Sequence, residues 1–139
     1  MAGVTLNFLS ILKYSLILFV VGVSMSAAYT VLWGEDLASQ SSLDFLFYQY
    51  LPINLVCLLV LSYYAKVQVR YTIFHLIAAV SISDLLGVII TSILMGEWFV
   101  SPLWVIDFPV TVITIGVAMI IGRSLRKGPI ASWKVNAEN

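Results

Sequence analysis

Long runs of apolar residues, separated by short polar stretches, dominate the pattern of this chain. The runs occupy residues 8–33, 43–65, 71–96 and 102–123. Each is close to the ~20 residues that a helix needs to cross the hydrocarbon core of a bilayer. Because a backbone in lipid must satisfy its own hydrogen bonds, every run is predicted to be helical. The pattern therefore predicts an all-α integral membrane protein, a bundle of four transmembrane helices with short loops, and a tail at 124–139.

Composition narrows the classes further. Hydrophobic residues make up 61% of the chain and charged residues only 10%, whereas about a quarter of a soluble protein is charged. The formal net charge is zero, so the sequence offers no basic surface for nucleic acid. Cys57 is the only cysteine, which excludes a disulfide framework and a cysteine-based zinc site. The four runs take up most of the 139 residues, so we expect a single membrane domain.

The positions of the charges predict an orientation. All seven Lys and Arg residues lie near the start of the first run, between the second and third, or after the fourth. The positive-inside rule assigns these segments to the cytoplasm, which gives an N-in/C-in topology. The opposite ends carry acidic residues and tryptophans, as expected at the outer interface: Glu35, Asp36, Asp44, Glu97, Asp107, Trp33, Trp98 and Trp104. We expect a multi-pass protein of the cell membrane, of the bacterial inner-membrane type.

A secretory signal peptide is the rival interpretation of residues 1–27. Lys13, a short apolar stretch and the small residues around Ala27 resemble such a segment, and its cleavage would leave three spans with the N-terminus outside. However, the residues before Lys13 are apolar rather than cationic, and apolarity continues past Ala27. A retained first helix is the favoured prediction.

Local signals mark where two of the spans begin. Ser41 and Asp44 have capping-box spacing, which starts the second helix near residue 42. Pro52 removes a backbone hydrogen bond inside that span and predicts a bend. Asp107 followed by Pro109 resembles a cap and an early-helix proline, so the fourth helix is expected to become regular late.

Small residues recur every four positions in the third span, at Ala79, Ser83, Gly87 and Thr91. Such stripes let helix backbones approach closely, which favours association in lipid. The simplest expectation is that the bundle packs against itself along this stripe. A dedicated dimerisation surface is the alternative. Shorter small-residue pairs occur in the first and fourth spans: Gly22 with Ser26 and Ala118 with Gly122.

Asp84 is the polar residue that most needs a reason, because it lies near the middle of the third span. An ionised carboxylate there costs at least about 2.5 to 3.5 kcal/mol, and intramembrane acids are functional candidates by default. Either Asp84 joins helices through hydrogen bonds or it carries protons. Residues adjacent to it or at matching depth predict a polar layer across the bundle: Ser81, Ser83, Asn54, Ser24 and Thr114.

No pattern indicates catalysis or a cofactor. His75 is the only histidine, which excludes bis-His haem ligation, and it is expected to be an interfacial ring, with a pH sensor as the alternative. No nucleophile, base and orienting acid recur in a recognisable arrangement. Arg123, Arg126 and Lys127 follow the fourth span and are expected to anchor it to anionic lipid headgroups.

Three classes of function remain open. The first is a non-catalytic partner, such as an accessory or assembly subunit or an immunity-type protein, that acts through helix contacts in the membrane with another membrane protein. The second is a homo-oligomeric channel or a proton-coupled transporter that uses Asp84. The third is a membrane enzyme, which lacks a motif here. The first class is favoured because it requires least of the sequence.

Overall fold

The computed structural model of the protein describes residues 7–33, 42–100 and 104–126. Its elements are α1 (Phe8–Trp33), α2 (Ser42–Asp44), a π-helical segment (Phe45–Tyr50), α3 (Leu51–Val67), α4 (Thr72–Met95) and α5 (Trp104–Arg126). Four helical stretches are long and apolar enough to cross a membrane: Phe8–Trp33, Phe45–Val67, Thr72–Met95 and Trp104–Arg126. The prediction of an all-helical chain with four helices of membrane-spanning length is confirmed.

The second span begins with a distorted turn. The π-helical segment ends just before Leu51, whose N–H donates to the carbonyl of Leu46, five residues back. This wider turn precedes Pro52, which has no N–H to donate to a helical carbonyl. The distortion expected around Pro52 therefore takes the form of a π-helical segment. α2 is helical from Ser42, the first described residue of this stretch, and the predicted capping residue Ser41 lies outside the described residues, so the predicted helix start stays a prediction.

The prediction that Asp107 caps the fourth span is wrong. α5 already begins at Trp104, so Asp107 lies in its first turn and Pro109 lies inside the helix. The Asp107 carboxylate instead accepts a hydrogen bond from the Tyr50 hydroxyl at 2.8 Å. Its side chain joins two helices, which is a use that local sequence signals for helix ends cannot reveal.

The four long helices alternate in direction along the chain. As a result, basic residues collect at one end of the bundle and acidic residues at the other. At one end the Asn7 backbone N–H donates to Nε2 of His75 at 3.1 Å, and Arg126 of α5 donates to Lys66 O of α3 at 2.9 Å. We call this the basic end, because all described Lys and Arg residues lie towards it: Lys13, Lys66, Arg70, Arg123 and Arg126. The opposite, acidic end carries Asp44, Glu97 and Asp107.

The packed core lies in the basic half of the bundle. α3 packs most extensively against α5, and α1 against α4. The buried apolar residues come from the first half of α1 and α4 and the second half of α3 and α5, with Tyr29 as an exception: Ile11, Tyr14, Leu18, Leu61, Tyr64, Ala65, Leu76, Ala79, Ile115 and Ala118. Tyr14 and Tyr64 stack with their ring centroids 3.9 Å apart.

The closest approach of two helices is between Gly122 of α5 and Ala65 of α3. A Cβ atom on Gly122 would lie 2.5 Å from the Cβ of Ala65 and 2.9 Å from its carbonyl carbon. Ala118, one turn earlier in α5, is fully buried. The small-residue pair of the fourth span is therefore a point of backbone contact, as its spacing indicated.

Arg126 joins the end of α5 to the turn between α3 and α4. Its guanidinium donates to the carbonyls of Ala65, Lys66 and Gln68. The last carbonyls of α3 have no partners within their own helix, so Arg126 satisfies those of Ala65 and Lys66, while the carbonyl of Gln68 also accepts the Thr72 hydroxyl. Arg123 is exposed, and Lys127 lies outside the described residues. Lipid anchoring by Arg123, Arg126 and Lys127 stays a prediction.

His75 is buried in the basic half rather than exposed at the membrane interface. Its Nδ1 lies 3.0 Å from the carbonyl of Tyr71, and its Nε2 accepts the N–H of Asn7. One ring nitrogen must therefore donate and the other accept, which defines a neutral tautomer with the proton on Nδ1. His75 holds the start of α1 against the start of α4.

Candidate functional site

The bundle is open in its acidic half. Ile93 lies on the side of α4 that contacts the core in the basic half of the bundle. It is nevertheless 73% exposed, and its neighbour Leu94 is 81% exposed. α4 also makes few contacts with α3 and α5. We call the gap between α4 and the α3–α5 pair, at the acidic half, the open seam. Among the described residues, Tyr29 of α1 is the one buried hydrophobic side chain in this half of the bundle.

Asp84 lies at the middle of α4. It is 12 residues from Thr72 and 11 from Met95, or about 18 and 16 Å along the helix. Its side chain is exposed and forms no hydrogen bond or ion pair with any residue in the described ranges. Its charge is near enough to act on Asp107 of α5 and on the Cys57 thiol of α3. The Asp84 carboxyl group therefore has no hydrogen-bonding partner among the described residues, although its charge acts on groups of α3 and α5.

The predicted partner of Asp84 is used elsewhere. Asn54 donates its amide N–H to the carbonyl of Tyr50, one turn back in its own helix, at 2.9 Å. Sequence depth alone could not show this choice, because an amide that reaches its own backbone needs no second helix. The other predicted members of the polar layer are not bonded to Asp84 either: Ser24 and Ser81 are exposed, and Ser83 and Thr114 are half-buried.

Sequence reasoning missed the Tyr50–Asp107 hydrogen bond, which joins the second and fourth spans at the acidic end. Tyr50 lies 17 residues before the end of α3 at Val67, and Asp107 lies 19 before the end of α5 at Arg126. Both are thus about 25 to 28 Å from the basic end. Matching depths along neighbouring spans was the signal that could have identified this pair.

The small-residue stripe of α4 does not stay on one face of the helix. Four residues turn a helix by about 400°, so each step of the stripe drifts by about 40°. Ala79 is fully buried in the core, whereas Gly87 has no atom within 4 Å of the position of its missing Cβ. Ala79 is packed in the core and Ser83, Gly87 and Thr91 are half-buried, so packing of the bundle against itself along the outer part of the stripe stays a prediction.

The outer part of the stripe shares a face of α4 with Asp84. On a helix of 3.6 residues per turn, this face comprises residues that are three, four or seven positions from Asp84. We call it the Asp84 face, and it consists of Ile77, Val80, Ser81, Asp84, Gly87, Val88 and Thr91, of which Val80 packs against the core. It has an apolar rim, one small residue with open space above it and one unsatisfied carboxyl group.

The described residues hold no group of three or more His, Cys, Asp or Glu side chains that could bind a metal ion. Among the described residues Asp84 has no bonded partner, Asp107 accepts the Tyr50 hydroxyl, and His75 lies at the far end of the bundle. What the site offers is a polar group in an apolar surface. Comparison with known proteins identifies no relative, because no protein-family model, no curated protein and no solved structure matches this chain.

Proposed function

We propose that this protein is a non-catalytic membrane subunit, an accessory, assembly or immunity-type protein that acts through contacts of its helices with those of another membrane protein. The observation that carries the proposal is the exposed carboxyl group of Asp84 at the middle of α4, which has no bonding partner among the described residues. Lipid tails offer this group no hydrogen bond, and a charge at the bilayer centre costs several kcal/mol. A partner helix on the Asp84 face removes that cost.

The shape of the same face supports helix binding. Transmembrane helices associate best where small residues let their backbones approach and where polar side chains bond across the contact. Gly87 supplies the first property and Asp84 the second, on one face of one helix. The short connections between the described helices leave little protein outside the membrane to provide a binding surface there.

A homo-oligomeric channel or proton-coupled transporter is the second candidate. The observation that favours it is the electrostatic interaction between Asp84 and Asp107, two carboxyl groups on different helices. In that case Asp84→Asn, which is nearly isosteric but cannot exchange a proton, abolishes pH-driven flux in liposomes. The partner function predicts no such flux in the unaltered protein.

The orientation proposed with this function is N-in/C-in, in the inner membrane of a bacterium. The basic end of the bundle would face the cytoplasm, as the positive-inside rule requires. Reporter fusions or cysteine accessibility at Ala131 and Ser39 test this, and we expect Ala131 inside and Ser39 outside. Finding both on one side would exclude the four-span topology, and a mature N-terminus near Ala27 would establish the signal-peptide alternative.

Photo-crosslinking in intact membranes tests the partner function. A photoreactive side chain at Ile77, on the Asp84 face, is expected to crosslink to one membrane protein of defined mass. The same group at Leu59, an exposed position of α3, is expected to label lipid only. Gly87→Leu should weaken the Ile77 crosslink without lowering the thermal stability of the protein in detergent, because no described residue of another helix lies within 4 Å of a Cβ at that position.

Three outcomes distinguish the candidates. Loss of the Ile77 crosslink in Gly87→Leu, with an unchanged melting temperature, supports a helix docked on the Asp84 face. Labelling of lipid at both Ile77 and Leu59 contradicts the partner function. A crosslink between two copies of this chain, together with Asp84-dependent proton flux, favours the oligomeric transporter instead.

A further inference from the structure

We infer that the Asp84 face binds a transmembrane helix of another protein that carries a lysine or arginine at the middle of the membrane. This inference rests on the proposed partner function and names the chemistry of the partner. It follows from the acidic and neutral groups around Asp84 and from the absence of a cation at its depth among the described residues.

The surroundings of Asp84 are acidic or neutral. The titratable groups that interact electrostatically with Asp84 are the Asp107 carboxyl of α5 and the Cys57 thiol of α3, and neither is a cation. Within its own face, Ser81 and Gly87 carry no charge. The described Lys and Arg residues all lie towards the basic end of the bundle. Asp84 therefore has no cation at its depth among the residues of the described ranges.

A second copy of this chain does not supply the missing cation. Asp84 lies nearly equidistant from the two ends of α4, so a second copy in either orientation brings another Asp84 to the same depth. Its described cations remain about 18 Å or more away, near the ends of the spans, apart from Lys13, which lies a turn and a half inside α1. Two facing carboxylates in a medium of low dielectric repel each other. The charge pattern thus favours a different protein over a copy of this one.

A basic side chain on a partner helix complements the Asp84 face in charge and in shape. Intramembrane charges are tolerated when they pair with one another, so a lysine or arginine removes the desolvation cost of Asp84 and of itself. The open space above Gly87 lets the partner backbone approach within reach of the carboxyl group, three residues away on the same face. Lysine, with a flexible stem, can reach Asp84 from either neighbouring turn.

Synthetic transmembrane peptides provide the test. The probe is a helix of about 20 Leu and Ala residues with a single central lysine, a length that spans a bilayer. A central residue reaches the same depth in both insertion orientations. Peptides with a central leucine, glutamine or glutamate serve as comparisons. Association with the purified full-length protein is measured by fluorescence energy transfer in phosphatidylcholine vesicles.

The central-lysine peptide is expected to bind on the order of tenfold more tightly than the central-leucine peptide. Asp84→Asn should reduce this preference to about threefold or less, while the protein keeps its helical content and melting temperature. Glu97→Gln removes an acid at the end of α4 and should leave the preference unchanged. The central-glutamate peptide should bind no better than the leucine peptide.

Failure of this inference is distinct from failure of the proposed function. If the lysine peptide shows no preference while the Ile77 crosslink to a partner persists, the partner function stands and its basic residue is refuted. A preference that survives in Asp84→Asn would place the acidic contact elsewhere. Self-association of the protein that depends on Asp84, in vesicles without peptide, would identify a second copy as the occupant and overturn the inference.

Discussion

Gly122→Leu is expected to destabilise the protein more than any other exchange of a glycine described here. A Cβ at this position lies 2.5 Å from the Cβ of Ala65 and 2.9 Å from the backbone N of Lys66. Because backbone atoms cannot rotate away, α3 and α5 must separate. Overpacking of this kind typically costs about 1 to 3 kcal/mol, and backbone contact puts this position at the upper end or beyond.

The measurement is the thermal unfolding of purified protein in detergent, followed by helical content. Gly116→Leu is the matched control, since it makes the same exchange in the same helix where nothing lies within 4 Å of the added Cβ. Gly116→Leu should melt close to the unaltered protein. Equal stability of the two variants would contradict the close α3–α5 approach.

Arg126→Met is the second change with a large expected effect. The substitution removes a guanidinium that donates to three carbonyls at the end of α3 and lies 3.3 Å from the hydroxyl of Thr72. Hydrogen bonds to a charged group contribute roughly 1.5 to 3 kcal/mol, and the carbonyls left behind are partly shielded from water. We expect a loss of stability of about that size, seen as a lower melting temperature.

Arg123→Met separates this contribution from the effect of charge. Both variants remove one positive charge after the same helix, but Arg123 is exposed and donates no hydrogen bond within the described residues. If Arg126 acted only on lipid headgroups, the two variants would unfold alike and respond equally to anionic lipid. A selective loss of stability in Arg126→Met, also in neutral detergent, identifies the contact with α3.

The local sequence determined the parts of this protein that depend on composition along one helix. Apolar runs of membrane-spanning length predict helices whatever surrounds them, because a backbone in lipid has no other source of hydrogen bonds. Charge sorting follows from the same alternation of spans, and the small pair Ala118 and Gly122 was recognisable because close packing in lipid needs small residues.

Tertiary structure alone decided which polar side chains meet. Asn54 bonds to its own helix, Tyr50 reaches Asp107, and Arg126 reaches α3, all choices set by the rotation of each helix about its axis. Hydropathy does not reveal that rotation, because each of these helices carries apolar residues on all of its faces. For the same reason the sequence could place Asp84 at mid-membrane depth but could not tell whether it faces inward. Asp84 lies five residues after the buried Ala79, and so about 140° around α4 from it, which leaves the Asp84 side chain exposed.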